Sequence, residues 1–373
     1  MLYLHIPFCQ SRCIYCDFYS TTASSLQEAF TGSLIGEMER RRGELSGQPL
    51  RTLYMGGGTP SQLSADNLRR IADAARRLFG VTEETEFTVE ANPDDVTPAW
   101  VAAARACGVN RVSMGVQSLD DGTLRLLRRR HTAAQAREAV DTLRAGGITN
   151  ISIDLIYGLP GQSEQQFRRD LAAALALPVT HLSAYALTVE DGTPLAAMLA
   201  RGEAELPDEE TTRREYEALT DAAEAAGYEH YEISNFARLG YRSRHNSAYW
   251  DCTTPYLGCG PGAHSFDGRA TRRQNLPDLR AYITAGGNAP HTTECLTLAE
   301  RYDETVFTAL RTRGGLPLAE VRRRFGAEAE SYLSAAARRH IEGGLLCVED
   351  GRLRLTRKGI FVSDGIMADL MRG

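Results

Sequence analysis

Short β-rich runs alternate with longer helix-like stretches through roughly the first 230 residues, a rhythm that leaves few folds open to the chain. Candidate strands lie at Leu2–Ile6, Thr52–Met55, Glu86–Val89, Arg111–Met114, Ile151–Ile156 and His181–Tyr185. Helix-like segments lie at Leu26–Arg41, Ala65–Phe79, Pro98–Ala106, Ala133–Ala145, Ser163–Ala176 and Thr211–Ala226. Strand–helix alternation implies right-handed βαβ units and a parallel sheet. Six such units predict an α/β fold built as a partial (β/α)6 barrel, with a doubly wound open sheet as the other solution. Polar and glycine residues collect just past the strands: Cys9, Gly56–Thr59, Glu90 and Gly115–Gln117, with Asp154 inside the fifth. Carboxyl ends of parallel strands build the site in such folds. These residues are therefore predicted to face one another across the barrel mouth.

Three regions follow from the pattern. Residues 1–235 form the barrel. Residues 236–297 are irregular and rich in Gly, Asn, Tyr and Pro, a functional excursion or connection. Residues 298–373 carry helices at Arg301–Arg311, Pro317–Phe325 and Glu328–Glu342. There Asp350-Gly351 separates two short apolar runs, a hairpin signal. Three helices and a hairpin predict a small winged-helix-like domain.

Composition excludes several classes. The chain has 373 residues, 43% hydrophobic and 24% charged, with net charge −6. An acidic balance argues against general affinity for nucleic-acid backbone or anionic lipid. The runs Arg40–Arg42, Arg128–Arg130 and Arg322–Arg324 read as solvated helix faces. A winged helix commonly reads DNA, but Pro317–Arg324 is only modestly basic, so a lid or packing role is expected. No stretch reaches membrane-span length. A cysteine cluster from residue 9 leaves no room for a signal peptide. The eight cysteines therefore read as reduced thiols or metal ligands in a cytoplasmic protein.

Cys9-Gln-Ser-Arg-Cys13-Ile-Tyr-Cys16 places three thiols in one short loop directly after a strand. Iron–sulfur clusters are normally held by four thiolates. Three would leave one iron of a 4Fe–4S cluster open to a small molecule. Structural zinc, completed by His5 or Asp17, is the alternative, although zinc sites favour paired CxxC elements and no second pair occurs. Cys252 and Cys259 could form a second site, but buried or incidental thiols are the simpler reading. Gly56-Gly57-Gly58-Thr59-Pro60 lacks the lysine of a P-loop, and alone means a tight turn.

CxxxCxxC, with aromatic Tyr15 before the last cysteine, resembles the signature of the radical S-adenosylmethionine superfamily. The flanking Tyr3-Leu-His5-Ile-Pro7-Phe8-Cys9 is similar to the group holding oxygen-independent coproporphyrinogen III oxidase and the HemW-type haem chaperones. This resemblance implies a 4Fe–4S cluster on Cys9, Cys13 and Cys16, with S-adenosylmethionine on the open iron. Carried over by position, Tyr3, Gly57, Gly58 and Thr59 line the methionine end, and Tyr15 packs near the adenine. Glu90 meets the ammonium, Gln117 makes a polar contact, Arg129 meets the carboxylate and Asp154 meets the ribose hydroxyls. Arg128 stands where the family often has glycine. Read singly, each would be a surface or capping residue; their recurrence at successive strand ends argues otherwise.

Two features separate oxidase from chaperone. The oxidase resembles CxxxCxxCxC, and here the fourth position is Phe18; it also carries an arm ahead of its first strand. Porphyrinogen oxidase activity is therefore not expected, and whether the chain is an enzyme at all stays open. His245-Asn246-Ser247-Ala248-Tyr249-Trp250 matches the chaperones' HNxxYW element. Imidazole suits haem iron, and Tyr249 and Trp250 offer flat apolar faces. If helical, His245 and Tyr249 share a face. Taken alone, the hexapeptide would be a loop histidine with packed aromatics. His264, in a shared glycine-rich segment, approaches haem or makes a structural hydrogen bond.

The leading expectation is a haem chaperone delivering haem to respiratory acceptor proteins. The rival is a radical enzyme that oxidises, methylates or opens a porphyrin. The resemblance further implies a flavodoxin or ferredoxin as electron donor, peripheral membrane association and a homodimer.

Overall fold

The computed structural model describes residues 1–45 and 49–372. Its central sheet starts with β1 (Leu2–Ile6) and passes through α1 (Gln27–Arg41) to β2 (Thr52–Gly57). Then come α2 (Ala65–Phe79), β3 (Glu86–Ala91), α3 (Pro98–Ala106), β4 (Arg111–Gln117), α4 (Asp121–Leu126) and α5 (Ala133–Ala145). The barrel part ends with β5 (Asn150–Tyr157), α6 (Glu164–Leu175), β6 (His181–Ala186), α7 (Pro194–Ala200) and α8 (Glu209–Ala225). Strands β1 to β6 are parallel neighbours in sequence order. Leu2, Leu4 and Ile6 are fully buried, as are Ile151 and Ile153, because helices cover one face and the strands curve around their own lumen. Side-chain caps start most of these helices: Ser64, Thr97, Thr132 and Ser163 each accept from the backbone N–H three residues on.

The sheet is wider than the six expected strands. β7 (Glu229–Glu232) and β8 (Asn235–Ala237) extend it antiparallel beyond β6. After α9 (Arg244–Tyr249), β9 (Leu257–Cys259) adds parallel to β1. The result is nine strands in the order β7-β8-β6-β5-β4-β3-β2-β1-β9, open between β7 and β9. The supposedly irregular region thus completes the sheet. It also holds β10 (His264–Phe266), β11 (Thr271–Asn275), α10 (Leu279–Thr284) and β12 (His291–Cys295), the three strands forming a small antiparallel sheet.

Beyond these, α11 (Leu298–Leu310), β13 (Leu316–Pro317), α12 (Leu318–Phe325), α13 (Ala327–Glu342), β14 (Leu346–Glu349) and β15 (Arg352–Leu355) form a module with its own apolar core. Two short helices, α14 (Arg357–Ile360) and α15 (Ser363–Leu370), close it. Asp350 and Gly351 both have positive φ (51° and 70°), the conformation a two-residue hairpin turn needs. The module docks on the barrel's antiparallel edge, where Ile233 N–H donates to Arg311 O (3.0 Å) and Arg313 N–H to Tyr231 O (3.0 Å). Among the described residues no helix is long and apolar enough to cross a membrane.

The arginine runs behave differently from the expectation of solvated helix faces. Arg322 and Arg323 do pair with Glu330 and Glu320 at the surface. Arg128–Arg130 lie past the end of α4, and Arg41 is buried. Arg41 bonds Glu37 (2.9 Å), the carbonyl of Gly258 (2.8 Å) and Ser265 (2.8 Å). Glu37, itself fully buried, also accepts from Gly260 N–H, Asn275 and Tyr282. Edge strand β9 is thus fastened to α1 by an ion pair whose remaining hydrogen-bond capacity is filled. Removing Glu37 leaves Arg41 with Glu44 alone and takes from Gly260 N–H, Asn275 and Tyr282 the carboxylate they share. Glu37→Ala is expected to cost about 3–5 kcal/mol in urea unfolding; a loss below about 1 kcal/mol would mean the pair does not hold β9.

Candidate functional site

The cysteine loop is seated on the sheet by backbone pairing that continues past the strands. Gly58 N–H donates to Ile6 O (2.9 Å) and Thr59 N–H to Phe8 O (2.7 Å). The loop then folds back, with Cys9 N–H on Thr21 O (2.9 Å) and Thr21 N–H on Pro7 O (2.7 Å). A Cβ on Gly58 would lie 2.8 Å from the Pro7 carbonyl carbon and the Phe8 oxygen, so only glycine lets the loop sit this close. Ile14 is the loop's anchor: 1% exposed, it packs with Leu127, Ile156, Leu159 and Leu195, while Tyr15 rests against that cluster. Anchoring Ile14 leaves the thiols on either side of it half exposed.

One cavity of about 550 Å³ opens at this end of the barrel. Its walls bring together Cys9, Cys13, Cys16, Tyr15, Gly57, Gly58, Thr59, Glu90, Gln117, Arg129 and Asp154. Asn92, Ser113, Arg128 and Tyr185, to which the sequence reading assigned no contact, are among the other residues that line it. The signal for two of them was present, since Asn92 lies two residues past Glu90 at a strand end and Tyr185 is the last residue of the sixth strand expected from sequence. Phe18, in the place of a fourth cysteine, is 65% exposed at the rim.

Local geometry explains several placements. Thr59 Oγ1 lies 3.3 Å from Cys9 Sγ. Arg129 donates through Nη1 to Cys13 Sγ (3.3 Å) and through Nη2 to Asn92 Oδ1 (2.6 Å) and Gly115 O. Only its Nε is left buried without a partner, so the guanidinium bridges the cysteine loop to the ends of β3 and β4. Arg128 sits at φ 56°, a left-handed helix end that glycine would adopt freely, and Arg129 N–H then reaches back to Leu124 O (2.8 Å). Gln117 has φ 69° at a bulge between β4 and β5, strain of the kind found at ligand sites. Absence of a Cβ at Gly115 makes room for it, since that atom would lie 2.9 Å from Gln117 Nε2.

The floor is acidic. Glu90 accepts from Tyr54 Oη (2.8 Å) and Gly57 N–H (3.1 Å). Burial is the main reason its carboxyl is pushed up to about 7, with the Asp154 charge adding to it. Asp154 is pushed up to about 6, again chiefly by burial, while bonds from Ser183 and Ser113 oppose the shift. Two carboxyls kept short of a countercharge suit a cationic ligand.

Some expectations need correction. Tyr3 does not line the cavity: it lies one layer down in the lumen, its hydroxyl 3.2 Å from His5 Nδ1 and its ring 6.1 Å from that of Tyr54. His5 places Nε2 3.0 Å from Tyr19 O, so both its nitrogens are engaged away from the thiols, against the zinc alternative. Among the described residues no three His, Cys, Asp or Glu side chains converge on a single ion. Cys252 and Cys259 do not meet: the first bonds Thr308 (3.0 Å), the second is buried in β9. His245, Tyr249 and Trp250 are at the other end of the barrel, because α9 caps the starts of β2 and β3 rather than the cavity mouth. His245 is 1% exposed. Its Nδ1 is 2.8 Å from Thr52 Oγ1 and its Nε2 3.1 Å from Tyr249 Oη, so as it stands it offers no free nitrogen. Trp250 stacks under Arg311, whose guanidinium carbon is 5.4 Å from the ring. His264 faces solvent on β10.

The residues present fit a 4Fe–4S cluster with S-adenosylmethionine. Three thiols, the two carboxyls of the floor and a guanidinium bonded to Cys13 line the same cavity.

Comparisons with known proteins agree. Residues 3–174 match the Radical SAM superfamily and residues 296–362 the HemN C-terminal domain. "Heme chaperone HemW" of Mycobacterium tuberculosis is 38% identical, covering 99% of this chain and 94% of that protein. Its Bacillus subtilis namesake is 34% identical over 96% and 95%. The mouse "Radical S-adenosyl methionine domain-containing protein 1, mitochondrial" is 33% identical over 99% and 87%. In solved structures, coproporphyrinogen III oxidase (HemN) from Escherichia coli superposes with TM-score 0.85 at 23% identity, covering 100% of this chain and 89% of that one, a likeness of fold.

The buried Glu90 carboxyl makes the cluster-free protein pH-sensitive. Its pKa in the folded chain exceeds the unfolded value of 4.5, so its contribution is complete below that pH and is lost as pH rises through about 7. The decline is worth about 3 kcal/mol. Urea midpoints measured from pH 4.5 to 8 should fall less steeply in Glu90→Gln than in the unaltered protein; parallel curves would place the sensitivity elsewhere.

Proposed function

The chain belongs to the HemW haem-chaperone family of the radical SAM superfamily, and we propose that it binds haem and hands it to an acceptor protein. In this reading Cys9, Cys13 and Cys16 hold a 4Fe–4S cluster and the adjoining cavity holds S-adenosylmethionine. The observation that carries the cluster and cofactor is the convergence of three thiols, two under-compensated carboxyls and a glycine-edged strand end on one cavity, and the haem role is supported by the likeness to the heme chaperones. When bound and reduced, the cluster supplies an electron to the sulfonium, chemistry that belongs to the cofactor.

The protein's own groups bind and orient. Glu90 and Asp154 offer charge to the ammonium and hydrogen bonds to hydroxyls. Arg129, held between Cys13 and Asn92, balances thiolate charge and keeps the loop against the cavity. Tyr15, packed on the Ile14 cluster, walls off the loop side. An acidic electron donor of flavodoxin or ferredoxin type would find Arg12 and Arg128 exposed at the mouth beside Cys13. Phe18 argues for transport of the porphyrin and against its conversion, because an exposed aromatic ring at the rim stands in place of a thiol and brings no acid, base or nucleophile.

Anaerobic reconstitution should load about four irons and four sulfides per chain, and Cys13→Ala should lose them. Adding S-adenosylmethionine should change the cluster's electron paramagnetic resonance spectrum in the unaltered protein. Hemin should give a stable Soret band and be recovered unmodified by mass spectrometry. Tightly held zinc with no assembly of iron and sulfide would end the cluster reading. Stoichiometric conversion of the porphyrin would replace chaperone by enzyme.

A further inference from the structure

The HNxxYW segment is latched shut by residues outside it. Ser243 caps α9, and the Glu86 carboxylate accepts from the backbone N–H groups of Arg244 and His245, both at 3.0 Å. Thr52 and Tyr249 occupy the two imidazole nitrogens. The seat is imperfect all the same. Ser247 Oγ and Trp250 Nε1, in the same segment, are buried with no protein partner. Deeper in the lumen Arg111, 1% exposed, leaves Nε and Nη1 unpaired. Unsatisfied buried groups disfavour the state that buries them, so the closed arrangement is held against a bias to open.

The Tyr54 side chain links this latch to the cavity. The Tyr54 ring lies 5.0 Å from the His245 ring, centroid to centroid, and its hydroxyl donates to Glu90 Oε1 at 2.8 Å. Glu90 is the carboxyl on the cavity floor. A ligand ammonium arriving there competes with Tyr54 for that oxygen, and Tyr54 then loses the bond that fixes its ring against His245.

We propose, resting on the haem-chaperone reading, that Thr52, Tyr54 and Glu86 are positioning residues that keep His245 closed until a cationic ligand occupies the cavity, and that release of α9 presents His245 to haem iron. The coupling is a shift between two populations, limited by how much better the ligand binds when Tyr54 has let go. His245 is already in the form that iron needs: burial, with neighbouring positive charge, holds its pKa down at about 3, so the imidazole is neutral.

Two measurements test this. Hemin titrations of cluster-loaded protein, followed by the Soret band, should tighten about tenfold on adding S-adenosylmethionine. Tyr54→Phe keeps the ring and should bind hemin with no such dependence. Glu86→Ala should bind hemin tightly with or without the cofactor. In cluster-free protein, amide hydrogen exchange across residues 243–250 should quicken by about tenfold in Glu86→Ala and, to a lesser degree, in Thr52→Val, which perturbs the fold less. Equal hemin affinity with and without S-adenosylmethionine, or unchanged exchange in both latch variants, would overturn the proposal. Hemin binding unchanged in His245→Ala would remove the latch from haem capture while leaving the chaperone reading in place. Failure of every form to bind hemin would overturn that reading as well.

Discussion

Everything at the site depends on how closely the cysteine loop can approach the end of β2. The approach is set by Gly58, where a side chain would collide with the Pro7–Phe8 backbone at 2.8 Å. Because that space is empty, β1–β2 pairing runs on through Ile6 and Phe8 into the loop itself. The loop is therefore an extension of the sheet, not an appendage, and the thiols inherit its rigidity. Ile14 then fixes the far side by burial among leucines and isoleucine. A polynuclear centre needs such a frame, since its ligands must be held apart at fixed spacing in the absence of metal.

Below that frame the lumen is polar instead of being filled with branched aliphatics. Tyr3, His5, Tyr54, Glu90, Arg111, Asp154, His181 and His245 occupy the interior, and burial shifts most of the titratable ones toward their neutral forms. Layers of hydrogen-bonded side chains join the two ends of the barrel. The carboxyls sit in the upper layer and the imidazoles of His181 and His245 in the lower one, beside the starts of the strands. Such a core gives up stability compared with a hydrophobic one, and the functional ends of the molecule are where the loss is tolerated.

Much of this was legible in sequence, for identifiable reasons. The six parallel strands announced themselves as short β-rich runs that alternate apolar and polar residues, as Leu2, Leu4 and Ile6 do with Tyr3 and His5, and Ser64, Thr97 and Thr132 marked helix starts. The cavity was legible because parallel topology sends every strand end to one side. Strands of three residues such as Leu257–Cys259 carry no periodicity to read, so the sheet's last member was hidden within an irregular stretch. Arg41 looked like one of three solvated arginines, since a charge run does not reveal that its middle member meets Glu37. His245 was named from its motif but could not be placed: a motif states which residues are present, not which end of the barrel they close. Tyr3 was misplaced by one layer for the same reason, its strand position being right and its depth unreadable.

The place of β1 between β2 and β9 has a consequence for the order in which the molecule is made. Cys9, Cys13 and Cys16 leave the ribosome early, but the strand that flanks theirs begins at Leu257, and at ordinary rates of translation that segment follows about 12–50 s later. Throughout that interval the nascent chain exposes three reducing thiols on a half-neighboured strand. Metal loading before synthesis ends would occur on an unfinished sheet.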